Sequence, residues 1–312
     1  MKLLVGWILA ALSVIGFAST FVIGSALTRE CHVSPEALSL LRFVIAGGVM
    51  LLAGIATPSG RAGLARPTKA DWVKMVWLGP IGTSVMAWFV FMGCARVSAA
   101  NASMADALTP LMIFVVAAVK ARYIEVRQLV GLICGLVGAV LVVQIVNADG
   151  LALDAYTVGD VYVLLAAATW GVYTVYGREQ ITRFGSSAYT TWTMIIGAAF
   201  LGVVLFVLSV FSGTLHLIWP STTKAWSLVL ALGLVSTLLP FWTWNAAQKF
   251  LPMSVLGVSA YFTPVFAVAM ALAFLGERAT ALQWLGTVFI IASALVETGR
   301  RKAEGETGEE EG

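Results

Sequence analysis

Long apolar runs, broken by short polar stretches, make up almost the whole chain. Ten such runs fall at 4–27, 35–56, 71–96, 99–119, 127–146, 158–176, 187–211, 224–248, 252–275 and 281–296. Each is close to the ~20 residues an α-helix needs to cross the ~30 Å hydrocarbon core of a bilayer. The strict apolar/polar alternation of barrel strands is absent. Lipid offers no water to backbone groups, so spans of this length must satisfy their hydrogen bonds internally, as helices. The pattern predicts an all-α polytopic membrane protein with ten transmembrane helices. The first run, with Lys2 ahead of it, imitates a secretory leader. No small-residue cleavage site clearly closes it, and it has a counterpart later in the chain, so it reads as the first span.

The pattern occurs twice. Gly79, Thr83, Trp88 and Thr109-Pro110 meet Gly233, Thr237, Trp242 and Thr263-Pro264 at one offset of 154 (242 − 88). One residue of slip later, Gln128-Leu129-Val130-Gly131 meets Gln283-Trp284-Leu285-Gly286. This is an internal duplication. It divides the chain into a first repeat at 1–146, a connecting loop at 147–157, a second repeat at 158–297 and a tail at 298–312. Five spans per repeat is an odd number, so the second repeat enters the membrane from the opposite side. Two inverted five-helix repeats are related by a pseudo-two-fold axis in the membrane plane, an arrangement that transporters use for alternating access around a midplane site.

Composition agrees. Hydrophobic residues make up 60% of the 312 and charged residues 11%, against about a quarter charged in soluble domains. Of the nineteen Lys and Arg, Arg29, Arg96, Lys224 and Arg278 fall on one side of the ten-span model and Arg42 lies within a span, which leaves fourteen (19 − 5) on the other. The positive-inside rule then puts both termini in the cytoplasm and the 147–157 loop outside. The Gly-rich tail carries Glu304, Glu306, Glu309, Glu310 and Glu311 and is expected to be disordered. The scattered basic residues fit membrane topology and give no nucleic-acid partner. Cys31, Cys94 and Cys134 with His32 and His216 form no metal-ligand spacing or disulfide framework. No nucleophile–base set, phosphate loop or nucleotide-binding domain is present, so neither an enzyme nor a cofactor is expected.

Several local sequences carry a resemblance. They are Ala107-Leu108-Thr109-Pro110, Tyr261-Phe262-Thr263-Pro264, Leu40-Leu41-Arg42-Phe43 and Leu275-Gly276-Glu277. In this order the chain resembles the drug/metabolite transporter superfamily, in its ten-span EamA-type branch of exporters, from Gly6 to about Val296. It departs at Lys120-Ala121-Arg122-Tyr123, where the second repeat has Gly-Glu. Within the superfamily it looks like bacterial exporters of amino acids, aromatic ones among them. The resemblance implies export of amino acids or related small metabolites across a bacterial inner membrane. Export of drugs or hydrophobic toxicants is an alternative, and a non-transporting receptor or structural subunit is an alternative of another class. The partners expected are a small-molecule substrate and the lipid bilayer. Whether the chain is a monomer or a homodimer stays open; Gly131, Gly135 and Gly138 suit close helix packing of either kind.

Candidate chemistry lies within the spans. Arg42 is the one basic residue deep in a span, and charge there is costly unless it faces protein or water. It either anchors a substrate carboxylate or satisfies backbone carbonyls. Asp106 is the one acid well inside a span, and its repeat mate is Ala260. It either relays a proton or bonds a neighbouring helix. Asn101 and Asn245 offer uncharged donors and acceptors for substrate or for a neighbouring helix. Trp7, Trp72, Trp77, Trp219 and Trp226 suit interfacial belts. Trp88 and Trp242 are repeat-matched, and Trp170, Tyr173, Trp244 and Tyr261 also lie within spans. These aromatics either pack the bundle or line a binding cavity. Pro110 and Pro264 read as hinges or as static kinks.

Overall fold

The computed structural model describes residues 2–97, 102, 106, 108–122, 129–130, 133–134, 136–137, 146–147, 150–151, 158–212, 217–275, 285 and 288–289. Most of the predicted spans at 127–146 and 281–296, part of the span at 99–119, most of the connecting loop and the whole tail lie outside the described residues. In the first half, α1 (Lys2–Ser25) runs on through a π-helical turn (Ala26–Glu30), and α2 (Pro35–Ala56) and a short α3 (Pro58–Leu64) follow. Next come α4 (Lys69–Pro80), a π turn (Ile81–Val85), α5 (Met86–Cys94) and α6 (Thr109–Ala121). The second half holds α7 (Val158–Phe184), α8 (Ser186–Ser212), α9 (Thr223–Gly233), a π turn (Leu234–Leu238), α10 (Leu239–Ala247), α11 (Met253–Ser259) and α12 (Phe262–Leu275). The architecture is all-helical, as expected, and one minimal pairing lies outside the helices. Val146–Asn147 and Gly150–Leu151 pair as a minimal antiparallel hairpin where the connecting loop begins.

The helices start where side chains can serve their orphan N–H groups. Ser34 accepts from the Ala37 N–H (3.4 Å) ahead of α2, with Pro35 in the first turn, where its missing N–H costs nothing. The Asp71 carboxylate takes both the backbone N–H (2.8 Å) and the hydroxyl (2.7 Å) of Thr68 at the start of α4. Five helical stretches among the described residues are long and apolar enough to cross a membrane. Exposure is inverted relative to a soluble protein. Phe211 and Val73 are 83% and 70% exposed, whereas Ser13, Thr83, Ser236 and Thr237 are fully buried. Apolar surface outward and polar side chains between helices is the arrangement lipid favours.

Packing is reciprocal between the halves. α1 lies along α10, and α7 lies along α5. α2 packs on α9 as α8 packs on α4, α1 meets α12 as α7 meets α6, and α2 and α8 cross each other. Gly6, near the start of α1, packs on Leu251, and Arg178, near the end of α7, donates to the Leu251 carbonyl (3.4 Å). The first helices of the two halves therefore run in opposite directions.

Two expected continuous helices are interrupted. The π turns at Ile81–Val85 and Leu234–Leu238 stand 153 residues apart (234 − 81), inside the duplicated stretch. Thr83 donates to the Gly79 carbonyl (2.7 Å) and Thr237 to the Leu232 carbonyl (2.6 Å). Pro240 has no N–H to give the Ser236 carbonyl four residues back, so that acceptor is left for other groups. The span at 252–275 is also discontinuous. It breaks between Ser259 and Phe262, with tight turns from Ala260 N to Gly257 O and from Tyr261 N to Val258 O, 3.1 Å each. Pro110 and Pro264 accordingly sit in the first turns of α6 and α12, where proline is tolerated, and not in helix interiors.

Candidate functional site

A cavity lies where the two halves meet, with about 560 Å³ of non-atom space when the open space at its mouth is counted. Val14, Phe17, Thr20 and Phe21 of α1 form one wall. Met86 and Val90 of α5 and Ala166 and Trp170 of α7 form another, and Trp244 of α10 closes one side. Arg42 enters from α2. The beginnings of the two interrupted spans supply Asp106 with Thr109 and Ala260 with Thr263. Three repeat-matched pairs line this one space: Thr109 with Thr263, Asp106 with Ala260, and Val90 with Trp244. Residues meet their mates only near a pseudo-two-fold axis, so the cavity lies on that axis.

Arg42 is 1% exposed. Its Nε donates to Thr237 Oγ1 (2.8 Å) and its Nη2 to the Ser236 carbonyl (3.3 Å), the acceptor released by Pro240. Thr20 Oγ1 donates to the same carbonyl (3.2 Å). The guanidinium lies 5.1 Å from the Phe43 ring centre and 5.3 Å from that of Phe91, within cation–π range. Arginine carries five donors, and Nη1 has no hydrogen-bond partner among the described residues. The described bonds thus satisfy part of the cation and not all of it. Asp106 accepts from Thr109 Oγ1 (2.9 Å) through Oδ1, and no ion pair among the described residues joins it to Arg42. One cavity therefore presents a cation and an acid that do not neutralise each other directly. Thr109 and Thr263 stand at the starts of α6 and α12, so two half-helix N-termini, the positive ends of helix dipoles, also face this space.

The aromatic wall is braced from behind. Trp170 meets Phe17 edge-on (5.1 Å), stacks on Tyr173 (5.2 Å) and lies 5.8 Å from Trp244. Trp244 Nε1 donates to Thr174 (3.3 Å). Tyr173 and Asn245 do not line the cavity. They form a fully buried network beside it, in which Asn245 Nδ2 donates to Tyr173 Oη (3.0 Å) and Thr190 Oγ1 (2.8 Å), and Gln248 donates to Asn245 Oδ1 (3.1 Å). This network ties α7, α8 and α10 together.

The other expected residues scatter. Trp88 donates to Glu36 Oε1 (3.0 Å) and sits with Phe89 and Tyr162, away from the cavity lining. Trp242 is 37% exposed, donates to Ser187 Oγ (3.0 Å) and faces a separate groove at the other end of the bundle. A two-fold axis carries a repeat-matched residue far from it to the opposite end, which is why these two rings do not meet. Tyr261 is buried beside Ala260. Asn101 lies outside the described residues. Thr109, Thr263, Thr237, Ser236 and Phe17 were not singled out as site residues. The duplication carries a signal for the three threonines, since Thr109 matches Thr263 and Thr237 matches Thr83 at the same offset as the Trp and Pro pairs.

A model of the EamA-like transporter family matches residues 4–144 and again 157–298. Among curated proteins, the chain is 24% identical over 270 residues to "Uncharacterized transporter YyaM" of Bacillus subtilis, covering 86% of each chain. It is 26% identical to "Aromatic amino acid exporter YddG" of Ancylobacter novellus, covering 83% of this chain and 86% of that protein. It is also 26% identical to "Probable terminal-alkyne amino-acid exporter" of Streptantibioticus cattleyicolor, covering 83% and 82%. A crystal structure superposes with a TM-score of 0.69 at 23% identity, over 92% of this chain and 96% of that one, which shows a shared fold.

Proposed function

The chain belongs to the EamA-like transporter family of membrane proteins, and on that premise we propose that it exports amino acids with aromatic or large apolar side chains across the bacterial inner membrane. Transport is secondary and runs by alternating access, with repeats 1–146 and 158–297 rocking about the central cavity. The ten spans form two inverted five-helix repeats, joined by an extracytoplasmic loop at 147–157. Both termini, with the tail at 298–312, are cytoplasmic.

One observation carries the reading of substrate. Arg42, whose Nη1 has no partner among the described residues, and Asp106 line the same cavity, whose remaining wall is apolar and aromatic apart from Thr20, Thr109 and Thr263. An amino acid offers the complementary set. Its carboxylate suits the guanidinium and the two half-helix N-termini, its ammonium suits Asp106, and its side chain suits Trp170, Trp244 and Phe17. Two relatives named as amino-acid exporters support the same class. Pro110 and Pro264, in the first turns of the interrupted spans, serve as the pivots of the rocking motion.

Purified protein in liposomes tests this. Labelled phenylalanine should enter against preloaded phenylalanine, with and without an imposed pH gradient. Phenethylamine, which lacks the carboxylate, should compete about ten- to a hundredfold less well, because a charged hydrogen bond contributes ~1.5–3 kcal/mol. Equal competition by the amine would favour export of hydrophobic cations, the drug-exporter reading. Failure of every solute tested to cross would favour the non-transporting one.

A further inference from the structure

A second concave site lies at the opposite end of the bundle from the Glu30–Lys224 ion pair, and the transport cycle as described has no use for it. It is an open groove between α2, α3, α8 and α10, with about 1170 Å³ of non-atom space when the solvent at its mouth is counted. Its wall along the helices is apolar, with Met50 and Ala53 on one side and Leu238 and Trp242 on the other. The neighbouring residues Leu52 and Val235 are 69% and 50% exposed on the surface given to lipid. The end of the groove is polar. Gly185, at φ +100°, turns the chain into α8, so the first N–H groups of that long helix have no intrahelical acceptor. Ser186 lines the groove there, only 6% exposed, and its hydroxyl has no partner among the described residues. Lys249 also lines it, with Nζ 3.9 Å from the place a Cβ on Gly185 would take, and makes no ion pair or hydrogen bond among the described residues. No carboxylate is among the described residues that line it. Trp242 stands at the boundary, its ring on the apolar side and its Nε1 on Ser187 (3.0 Å), as interfacial tryptophans do.

We propose that this groove binds one anionic phospholipid of the cytoplasmic leaflet. The phosphate takes the Ser186 hydroxyl, the Lys249 ammonium and the open N–H groups of α8, and an acyl chain lies between α2 and α10. A helix N-terminus with an added cation is a fitting receptor for such a group. A free phosphate would leave the apolar wall uncovered. The Glu-rich tail of this chain has charge but no apolar run to lay against α2 and α10. The choice of leaflet rests on the proposed topology and the binding itself on geometry alone, so it stands or falls separately from the reading of substrate.

Native mass spectrometry of the full chain, purified in detergent with equal amounts of phosphatidylglycerol and phosphatidylcholine, tests it. One phosphatidylglycerol should remain bound in preference to phosphatidylcholine. Lys249→Gln should lower that retention about fivefold, the scale of one basic group at an anionic surface, and Ser186→Ala about fivefold, the scale of one hydrogen bond. Arg61→Gln, on α3 but outside the lining, should leave it unchanged. Equal retention of the two lipids by the unaltered protein would overturn the proposal and needs no variant to fold. So would undiminished retention in both groove variants, or displacement of the lipid by an equal concentration of inorganic phosphate, which would mark a simple anion site.

Discussion

The two π-helical turns hold equivalent places in the two halves and are closed in opposite ways. At the first, the Tyr173 ring lies on Gly82, where an added Cβ would come within 2.1 Å of it, and Gly197 packs on Thr83 while Ser84 donates to the Gly197 carbonyl. At the second, Ser236 stands in the place of Gly82, its mate by the 154-residue offset (82 + 154). Ser19, the mate of Tyr173, meets it hydroxyl to hydroxyl (2.6 Å), and Arg42 fills the remaining space. The first turn is sealed chiefly by the Tyr173 ring against Gly82, with one bond from Ser84, and the second chiefly by donors against acceptors. The backbone is duplicated, and the chemistry is not. Arg42 and Asp106 both come from the first half, while Trp170 and Trp244 come from the second. Pseudo-symmetry builds the cavity, and departures from it give the cavity its polarity.

The largest expected effect breaks the polar turn. Arg42→Gln removes the charge and both Nη donors and leaves an amide near the position of Nε, within reach of Thr237. Removing one member of a buried, hydrogen-bonded charge pair costs ~2–5 kcal/mol, so apparent affinity for phenylalanine should fall at least about thirtyfold, with folded protein retained in the membrane. Unchanged transport would show that the guanidinium only fills the gap left by Pro240.

Asp106 tests whether the asymmetry in charge drives transport. Its repeat mate Ala260 cannot bind a proton, so any coupling runs through one half. Asp106→Asn should lower exchange of substrate for substrate through the lost ammonium contact, and should lower uptake driven by a pH gradient by about a further tenfold or more. Measured flux under both conditions separates the two, and an equal loss of each would return Asp106 to a role in binding or packing.

Stability should distinguish the seals. Gly82→Ala drives a methyl into Tyr173 and should cost ~1–3 kcal/mol through overpacking. Ser236→Ala removes a bond between helices in a membrane and should cost ~0.6–1.7 kcal/mol. Thermal unfolding in detergent compares them. A larger loss for Ser236→Ala would reverse the assignment of the tight and the polar turn.

Much of this was legible in the residues, and the losses have identifiable causes. Hydrophobic length located the helices, and the Trp and Thr-Pro matches located the duplication. Arg42 and Asp106 stood out because charge inside a span is costly. The π turns were not legible. An extra residue in a turn leaves no mark on hydrophobic spacing, although Pro240 four residues beyond Ser236 marks the freed carbonyl. The prolines were expected to bend helices and instead begin them, because the spans break just before each Thr-Pro. Trp88 and Trp242 were chosen because they match, but a match says nothing about distance from the axis. Thr109 and Thr263 matched equally well and line the cavity.

The smallest effect sharpens that last distinction. Trp170 and Trp244 touch the cavity and Trp242 does not. An aromatic contact stabilises a bound ring by ~0.5–1.5 kcal/mol beyond burial, a few-fold to about tenfold in affinity. Trp170→Leu keeps an apolar wall and removes the ring. It should weaken competition by phenylalanine, tyrosine and tryptophan by that factor relative to leucine or alanine. Trp242→Leu should leave the ratio between aromatic and small amino acids unchanged, because its ring lies in the groove at the other end. Competition by each amino acid against labelled phenylalanine, in liposomes holding equal amounts of each variant, measures both ratios. A selective loss in Trp242→Leu with none in Trp170→Leu would move the binding site from the central cavity to the end of the bundle, and the argument from Thr109 and Thr263 would fail with it.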